Sequence, residues 1–301
     1  MPAATTHLEC SKDIYEQLDK HIKSKISNIN LYYLGAQGPD IFFFEKFGLG
    51  NKLKRIGNYM HQYQIYPIIK YMEGYTKDID PDLYSYFCGY LTHYALDSYA
   101  HPIVYNRSVY GNLGNDPELT IHFRIEAFYD KYVLNQKNRD ITSFDTDKSL
   151  TISKNDALKL AKMYQQLFKD LLNQDIKIKS LTNTFNHIPK VLSFLKPNSY
   201  LKYKLLFLIE KLIMPNHLAT SLMLYHDFGK NNDFVLNSNN EAFINVKDSN
   251  IIYTDSFDQL YSKGITKAKR IIANPLNKDE YQLDFEGNPL SPEINFKDYK
   301  S

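Results

Sequence analysis

The stretch from Asp80 to Pro102 limits the fold of this chain more than any other. Asp80-Pro81 is a helix-start signal, an N-cap side chain followed by a ring whose missing N–H is not needed in the first turn. The helix it opens runs through Phe87, Leu91 and Tyr94, and Pro102 is expected to stop it, leaving His101 at the helix end. Along it His93, Asp97 and His101 recur at four-residue intervals. On a helix that interval stacks side chains on one face. Imidazole and carboxylate stacked this way are what a zinc ion needs: neutral nitrogen and charged oxygen ligands at ~2 Å in roughly tetrahedral array.

Helical signals continue on both sides. Thr6-His7-Leu8-Glu9 reads as a capping box, followed by an apolar stripe to about Ile29. Gly35 to Asp40 (GAQGPD) is turn chemistry, and Gly57 to Lys70 resumes helical spacing. Asp116-Pro117-Glu118 repeats the Asp-Pro start signal before His122 and Glu126, themselves four apart. Further amphipathic helices are expected near Lys154 to Leu172, Leu201 to Ile213, Pro215 to Tyr225 and Asp255 to Ala273. Gly229 to Asn250 is polar and Asn-rich and reads as a long loop, and Asn274 to Ser301 as an extended or poorly ordered tail. No repeat and no strand ladder is visible. The fold class expected is all-α, one domain over residues 1–301: a metal-site half (1–130), supporting helices (150–273) and the tail (274–301).

A chain of 301 residues has ample length for a buried core. Its net charge of +2 gives no field that argues for nucleic acid or an anionic membrane. Tyrosine is used 25 times and tryptophan never, which reads as compositional drift. Cys10 and Cys88 are read as buried free thiols, since two cysteines make no disulfide framework. No basic segment followed by an apolar one opens the chain, so a cytoplasmic location is expected. The apolar run Leu205 to Met214, broken by Glu210 and Lys211, is too short to span a bilayer. The aromatic run Phe42-Phe43-Phe44 is either core or an interfacial anchor, with core favoured.

The candidate ligands are His7, Asp40, His61, His93, Asp97, His101, His122 and Glu126, all within the first 126 residues. A single histidine on a helix face is ordinarily structural; three groups on one helix with a pair on the next point to metal. His21, His187, His217 and His226 have no such partners and default to structural roles.

GAQGPD, GNYMH, GYLTHYALDSYAHP and HFRIE, in that order, resemble the zinc-dependent phospholipase C family, which includes bacterial phosphatidylcholine-hydrolysing enzymes and the amino-terminal domain of clostridial alpha-toxin. SFDQLY (Ser256 to Tyr261) is similar to the family's last helix. The resemblance implies a single all-α domain, shared with the fungal S1/P1-type nucleases, with two to three Zn2+ ions in a cleft. It implies that Asp40, His61, His93 and Asp97 bind one zinc, that His101, His122 and Glu126 bind a second, and that His7 with a bridging Asp97 holds the third. The implied activity is hydrolysis of a phospholipid-type phosphodiester by a zinc-activated water attacking phosphorus, with Asp97 and Asp40 as the catalytic carboxylates. Asp40 is the candidate to orient or deprotonate that water, a plain ligand being its simpler role.

Three features depart from the family. Its secreted members bind one zinc through the backbone of an amino-terminal tryptophan; here that part would fall to Pro2, after loss of Met1. The Asp97 to His101 spacing is short. Ile41 and Asn58 stand where the family's choline pocket has aromatics, which argues against a choline headgroup. No membrane-binding β-sandwich is read after the helices, unlike the toxins; the partners expected are a phospholipid or other phosphodiester substrate, with transient membrane-surface contact. Two other functions compete: an S1/P1-like nuclease, for which a basic groove and stacking signature are missing, and a non-catalytic zinc-stabilised protein, for which a cysteine-free ligand set is atypical.

Overall fold

The structure, a computed structural model, describes residues 4–213 and 217–300, and Phe47 by its backbone alone. Among them the helices are α1 (Ala4–Gln17), α2 (Lys20–Lys23), α3 (Ile29–Gly35), α4 (Lys52–Gln62), α5 (Ile65–Asp78), α6 (Tyr84–Tyr110), α7 (Glu118–Gln136) and α8 (Thr146–Ser149). They continue as α9 (Lys154–Leu172), α10 (Ile178–Leu195), α11 (Tyr200–Ile213), α12 (Leu218–Ser221), α13 (Asn232–Leu236) and α14 (Phe257–Ala273). Local chemistry starts several of them. Asn28 accepts from the Leu31 amide at 3.1 Å to cap α3, and Ser153 accepts from Asp156 at 3.0 Å to cap α9. Ser256 and Gln259 form a reciprocal capping box at α14.

Helix α6 is the axis of the molecule, with α1, α3, α7 and α14 packed around it. Tyr86, Phe87, Tyr90, Leu91 and Tyr94 are enclosed on all sides. Helix α3 comes so close that a Cβ on Gly89 would stand 1.9 Å from the Tyr32 carbonyl oxygen, so only glycine fits there. Many of the tyrosines serve this core: their rings bury area and several of their hydroxyls find partners, as in Tyr86 to Tyr164 at 2.7 Å and Tyr32 to the Ser11 carbonyl at 2.9 Å. Their abundance is therefore structural.

Several expectations are corrected. Pro102 does not end α6, which runs on to Tyr110. The ring removes one i→i−4 bond, but tertiary contacts downstream hold the helix: Ile103 and Val104 are buried, Asn106 Nδ2 donates to the Ile244 carbonyl at 2.9 Å, and Arg107 Nε donates to the Phe234 carbonyl at 2.9 Å. His101 is thus within the helix. Thr6 is not the N-cap of α1. Its backbone N–H and that of Thr5 donate instead to the Asp130 carboxylate of α7, at 2.6 and 3.2 Å, a tertiary cap that no local motif signals. Glu9, its expected capping-box partner, pairs with Lys12, Lys137 and Arg139.

Gly57 to Lys70 is two helices, broken at Gln64 in the left-handed conformation (φ 58°). Asp40 lies in a 3-10 helix, Gly38–Gly48, rather than a plain loop. The stretch 229–250 contains α13 and the first strand of a two-residue antiparallel pairing, Phe243–Ile244 with Ile252–Tyr253. Pro215 and Asn216 lie outside the described residues; of that expected helix α12 remains. Helix α10 has no counterpart among the expected elements. Cys10 and Cys88 are buried free thiols, and Phe42 and Phe44 are core. The segment after α14 is extended, yet Tyr281, Phe285, Phe296 and Tyr299 are buried in it, so it is packed against the body.

Candidate metal centre

Five elements converge on one buried cluster. Helix α1 delivers His7, the 3-10 segment Asp40, α4 His61, α6 His93, Asp97 and His101, and α7 His122 and Glu126. Three groups have ligand atoms within 4.8 Å of one another: His7 with His93 and Asp97, Asp40 with His61 and His93, and His101 with His122 and Glu126. All eight predicted residues are brought together. Pro2, the suggested backbone ligand, lies outside the described residues.

Close packing of the backbone sets the geometry. Gly38 is left-handed (φ 49°), and a Cβ there would fall 2.1 Å from His93 Cδ2, so the turn into Asp40 presses directly on that imidazole. Three imidazoles are oriented by the same device: Nδ1 of His61, His93 and His101 meets the backbone carbonyls of Gly57 (2.7 Å), Ala36 (3.0 Å) and Phe285 (2.6 Å). A ring that donates from Nδ1 presents a lone pair at Nε2, the tautomer a metal requires.

The Nε2 atoms face carboxylates. His61 Nε2 is 3.1 Å from Asp40 Oδ1; His7 Nε2 is 3.0 Å from Asp97 Oδ1, and His93 Nε2 is 2.8 Å from Asp97 Oδ2. Glu126 Oε1 lies 3.4 Å from His101 Nε2 and 3.3 Å from His122 Nε2. Yet His93 Nε2, Asp97 Oδ2 and Glu126 Oε2 are buried and make no hydrogen bond. Buried polar atoms are ordinarily paired, so unsatisfied ligand atoms gathered in one cluster are what a shared cation would satisfy. The nitrogen and oxygen donor set fits zinc.

Electrostatics agree. Burial alone would raise the Asp97 carboxyl, but His101, His93 and His7 outweigh it and hold it well below the usual range. Asp40 is lowered against burial by His61 and His93. Glu126, also against burial, falls to about 2 beside His122 and His101. Burial lowers His93, and the Asp97 charge only partly offsets this. His101 rises to about 10 despite burial, because Asp97 and Glu126 flank it. The centre is built for positive charge.

His93 belongs to two of the three groups, but its one Nε2 lone pair serves one ion, whereas Asp97 turns a separate oxygen to His7 and to His93. Only the carboxylate can bridge. His93 is fully enclosed, and His101 has the most exposed side chain of the eight (12%).

The residues missed from sequence come from the last segment. Phe285 accepts from His101, donates its own N–H to the His61 carbonyl at 2.9 Å, and packs its ring against His61, His93, Tyr90 and Tyr94. The Asp284-Phe285-Glu286-Gly287-Asn288-Pro289 run had a signal: turn residues wrapped around one aromatic. Phe43 lies over His61 and Tyr105 against His122 (ring centroids 5.8 and 4.9 Å), lining the site with aromatic faces. Ile41, at a choline-pocket position, is instead in the core.

Comparison with curated proteins and with solved structures finds no match. A family model, zinc dependent phospholipase C, matches residues 6–178, which takes in every member of the centre and more than half of the chain. The buried His/Asp/Glu centre and this match agree: the chain belongs to the zinc-dependent phospholipase C family.

Proposed function

We propose that the protein is a zinc-dependent phosphodiesterase that hydrolyses a phospholipid-type phosphodiester, with two to three Zn2+ ions held by His7, Asp40, His61, His93, Asp97, His101, His122 and Glu126. One observation carries this: eight donor residues from five chain segments meet in one buried cluster, within which His93 Nε2, Asp97 Oδ2 and Glu126 Oε2 make no hydrogen bond. Bound zinc would supply a water acidified toward neutral pH and charge to stabilise the phosphoryl oxygens.

The chain's own residues have distinct tasks. Asp97, with an oxygen toward each neighbouring imidazole, joins the His7 group to the His93 group. Asp40 orients the attacking water through its carboxylate oxygens. The carbonyls of Gly57, Ala36 and Phe285 lock three imidazoles in the ligating tautomer. The His101 and His122 edge, beside Tyr105, is where a phosphodiester reaches the centre. With Ile41 in the core and Asn58 on α4, nothing at those positions builds an aromatic box for choline.

The test is metal analysis of purified protein together with hydrolysis of phosphatidylcholine, phosphatidylethanolamine, a chromogenic phosphodiester and single-stranded DNA by wild type and Asp97→Asn. Two or three zincs and activity on a lipid that Asp97→Asn loses are expected. One zinc or none, or equal rates in both proteins, would sink the proposal, and activity on DNA alone would replace it with a nuclease.

A further inference from the structure

Helix α11 inverts the usual pattern of a surface helix. Leu201, Leu205, Leu208, Ile209 and Leu212 follow the i, i+4, i+7, i+8, i+11 spacing of one helix face, and all five are exposed, by 43 to 87%. The opposite face holds the helix to the protein. Glu210 is buried and accepts from the amides of Ala219 (2.6 Å) and Thr220 (2.9 Å); Phe207 stacks on His217 at 4.1 Å, and Tyr203 packs at a tilt against Tyr225 at 5.2 Å. The exposed stripe is therefore fixed outward. By helical position Lys204 and Lys211 lie along one flank of the stripe and Lys202 along the other.

We infer that α11 is an interfacial anchor that seats the protein on an anionic lipid surface. An apolar stripe between two lysine flanks is how a helix lies in a bilayer interface: aliphatic side chains enter the acyl boundary while lysines reach the headgroups. Its 14 residues, about 21 Å at the α-helical rise, fall short of the ~30 Å hydrocarbon core. No helix among the described residues is long and apolar enough to cross a membrane, so α11 lies on the surface. A second copy of the chain fits the stripe poorly: both flanks are lysine and the helix's one carboxylate, Glu210, faces inward, so self-pairing sets lysine against lysine. The helix is also tied to the metal centre. Glu210 caps α12, α12 packs on α7, and α7 carries His122 and Glu126. The choice of a lipid occupant rests on the proposed phospholipid substrate.

Flotation with vesicles of phosphatidylcholine and phosphatidylserine (3:1) tests this, on the full chain, beside hydrolysis of the soluble chromogenic phosphodiester. Leu205→Glu/Leu212→Glu is expected to lower the partition coefficient at least ~10-fold, since two aliphatic side chains no longer enter the acyl boundary. Lys204→Glu/Lys211→Glu is expected to lower it on anionic vesicles and to matter little on phosphatidylcholine alone. Both variants should retain the fold by circular dichroism and the wild-type rate on the soluble substrate. Wild-type-like flotation of both variants overturns the inference, as does a wild-type protein that does not float but forms a dimer that Leu205→Glu/Leu212→Glu dissolves. Flotation is read without turnover, so a protein that floats but hydrolyses nothing retains the anchor and loses only the proposed activity.

Discussion

In the metal centre an imidazole, His93, is 0% exposed; on α11 an aliphatic side chain, Leu212, is 87% exposed. Each region does the reverse of what burial free energy favours. The two differ in what surrounds them. At the centre the protein encloses its ionisable groups from five chain segments, using glycines to bring backbone onto an imidazole and carbonyls to fix tautomers. At α11 it encloses only one helix face and leaves the other bare. Violations of local preference that are this consistent mark places where folding alone is not what the residues serve. On the readings proposed above, an ion would complete the first region and a lipid surface the second.

The largest expected effect comes from taking the ion away. Chelation should abolish hydrolysis and lower the melting temperature, since a ligand at a thousandfold excess over Kd stabilises by about 4 kcal/mol. A protein unmoved by chelator in both activity and melting would show that the buried cluster closes on itself, and the comparison would fail.

Phe285→Ala removes an enclosed ring that touches two ligand imidazoles, and should cost about 3–5 kcal/mol in urea unfolding. It should also weaken zinc retention, whereas a purely packing role would leave zinc stoichiometry intact. Gly38→Ala sharpens the point: with a Cβ aimed 2.1 Å from the His93 ring and φ at 49°, about 2–4 kcal/mol is expected. Gly229→Ala is its control, because Gly229 is also left-handed (φ 57°) but has nothing within 4 Å of the added methyl. About 1 kcal/mol of backbone strain should be the whole of its effect.

Lys267 asks whether every buried charge near α6 belongs to the centre. Its Nζ donates to Ser98 Oγ at 3.0 Å and lies over the Tyr94 and Tyr99 rings. Burial pulls its pKa from 10.5 down to about 8, with Glu280 opposing. Below about pH 8 the amine is charged both folded and unfolded, and folding bears the desolvation; above 10.5 it is neutral in both. Wild type should therefore gain stability as pH rises from about 8 to 10.5. Lys267→Met should match or exceed wild type by about 1 kcal/mol at pH 7 and lose that advantage across the same range. A variant less stable at every pH would show that the amine's contacts outweigh its burial. The smallest effect is at α11, where Leu205→Glu/Leu212→Glu should change unfolding free energy by no more than about 0.5 kcal/mol, since neither side chain is enclosed. A larger loss would mean the stripe packs against the protein.

Much of the centre was legible because its ligands are spaced by the helix itself. His93, Asp97 and His101, and His122 and Glu126, announce a shared face at four-residue intervals, and the family's ordered blocks supply His7, Asp40 and His61. The ends of the elements were less legible. Pro102 and Thr6 carry strong local signals, and both were overridden by contacts from residues far along the chain: Ile244 and Phe234 for the helix beyond Pro102, Asp130 for the amides at Thr5 and Thr6.

By itself the sequence determined the helical class, the residue types able to hold zinc and the order in which they occur, because helix periodicity and ligand chemistry are local properties. Only the tertiary structure decided which oxygen faces which imidazole, that Phe285 from the last segment locks His101, and that the apolar stripe of α11 points away from the core. Those depend on enclosure. A Leu-rich helix has the same sequence whichever face is covered, and only the packing of Glu210, Phe207 and Tyr203 against the body turns its other side to solvent.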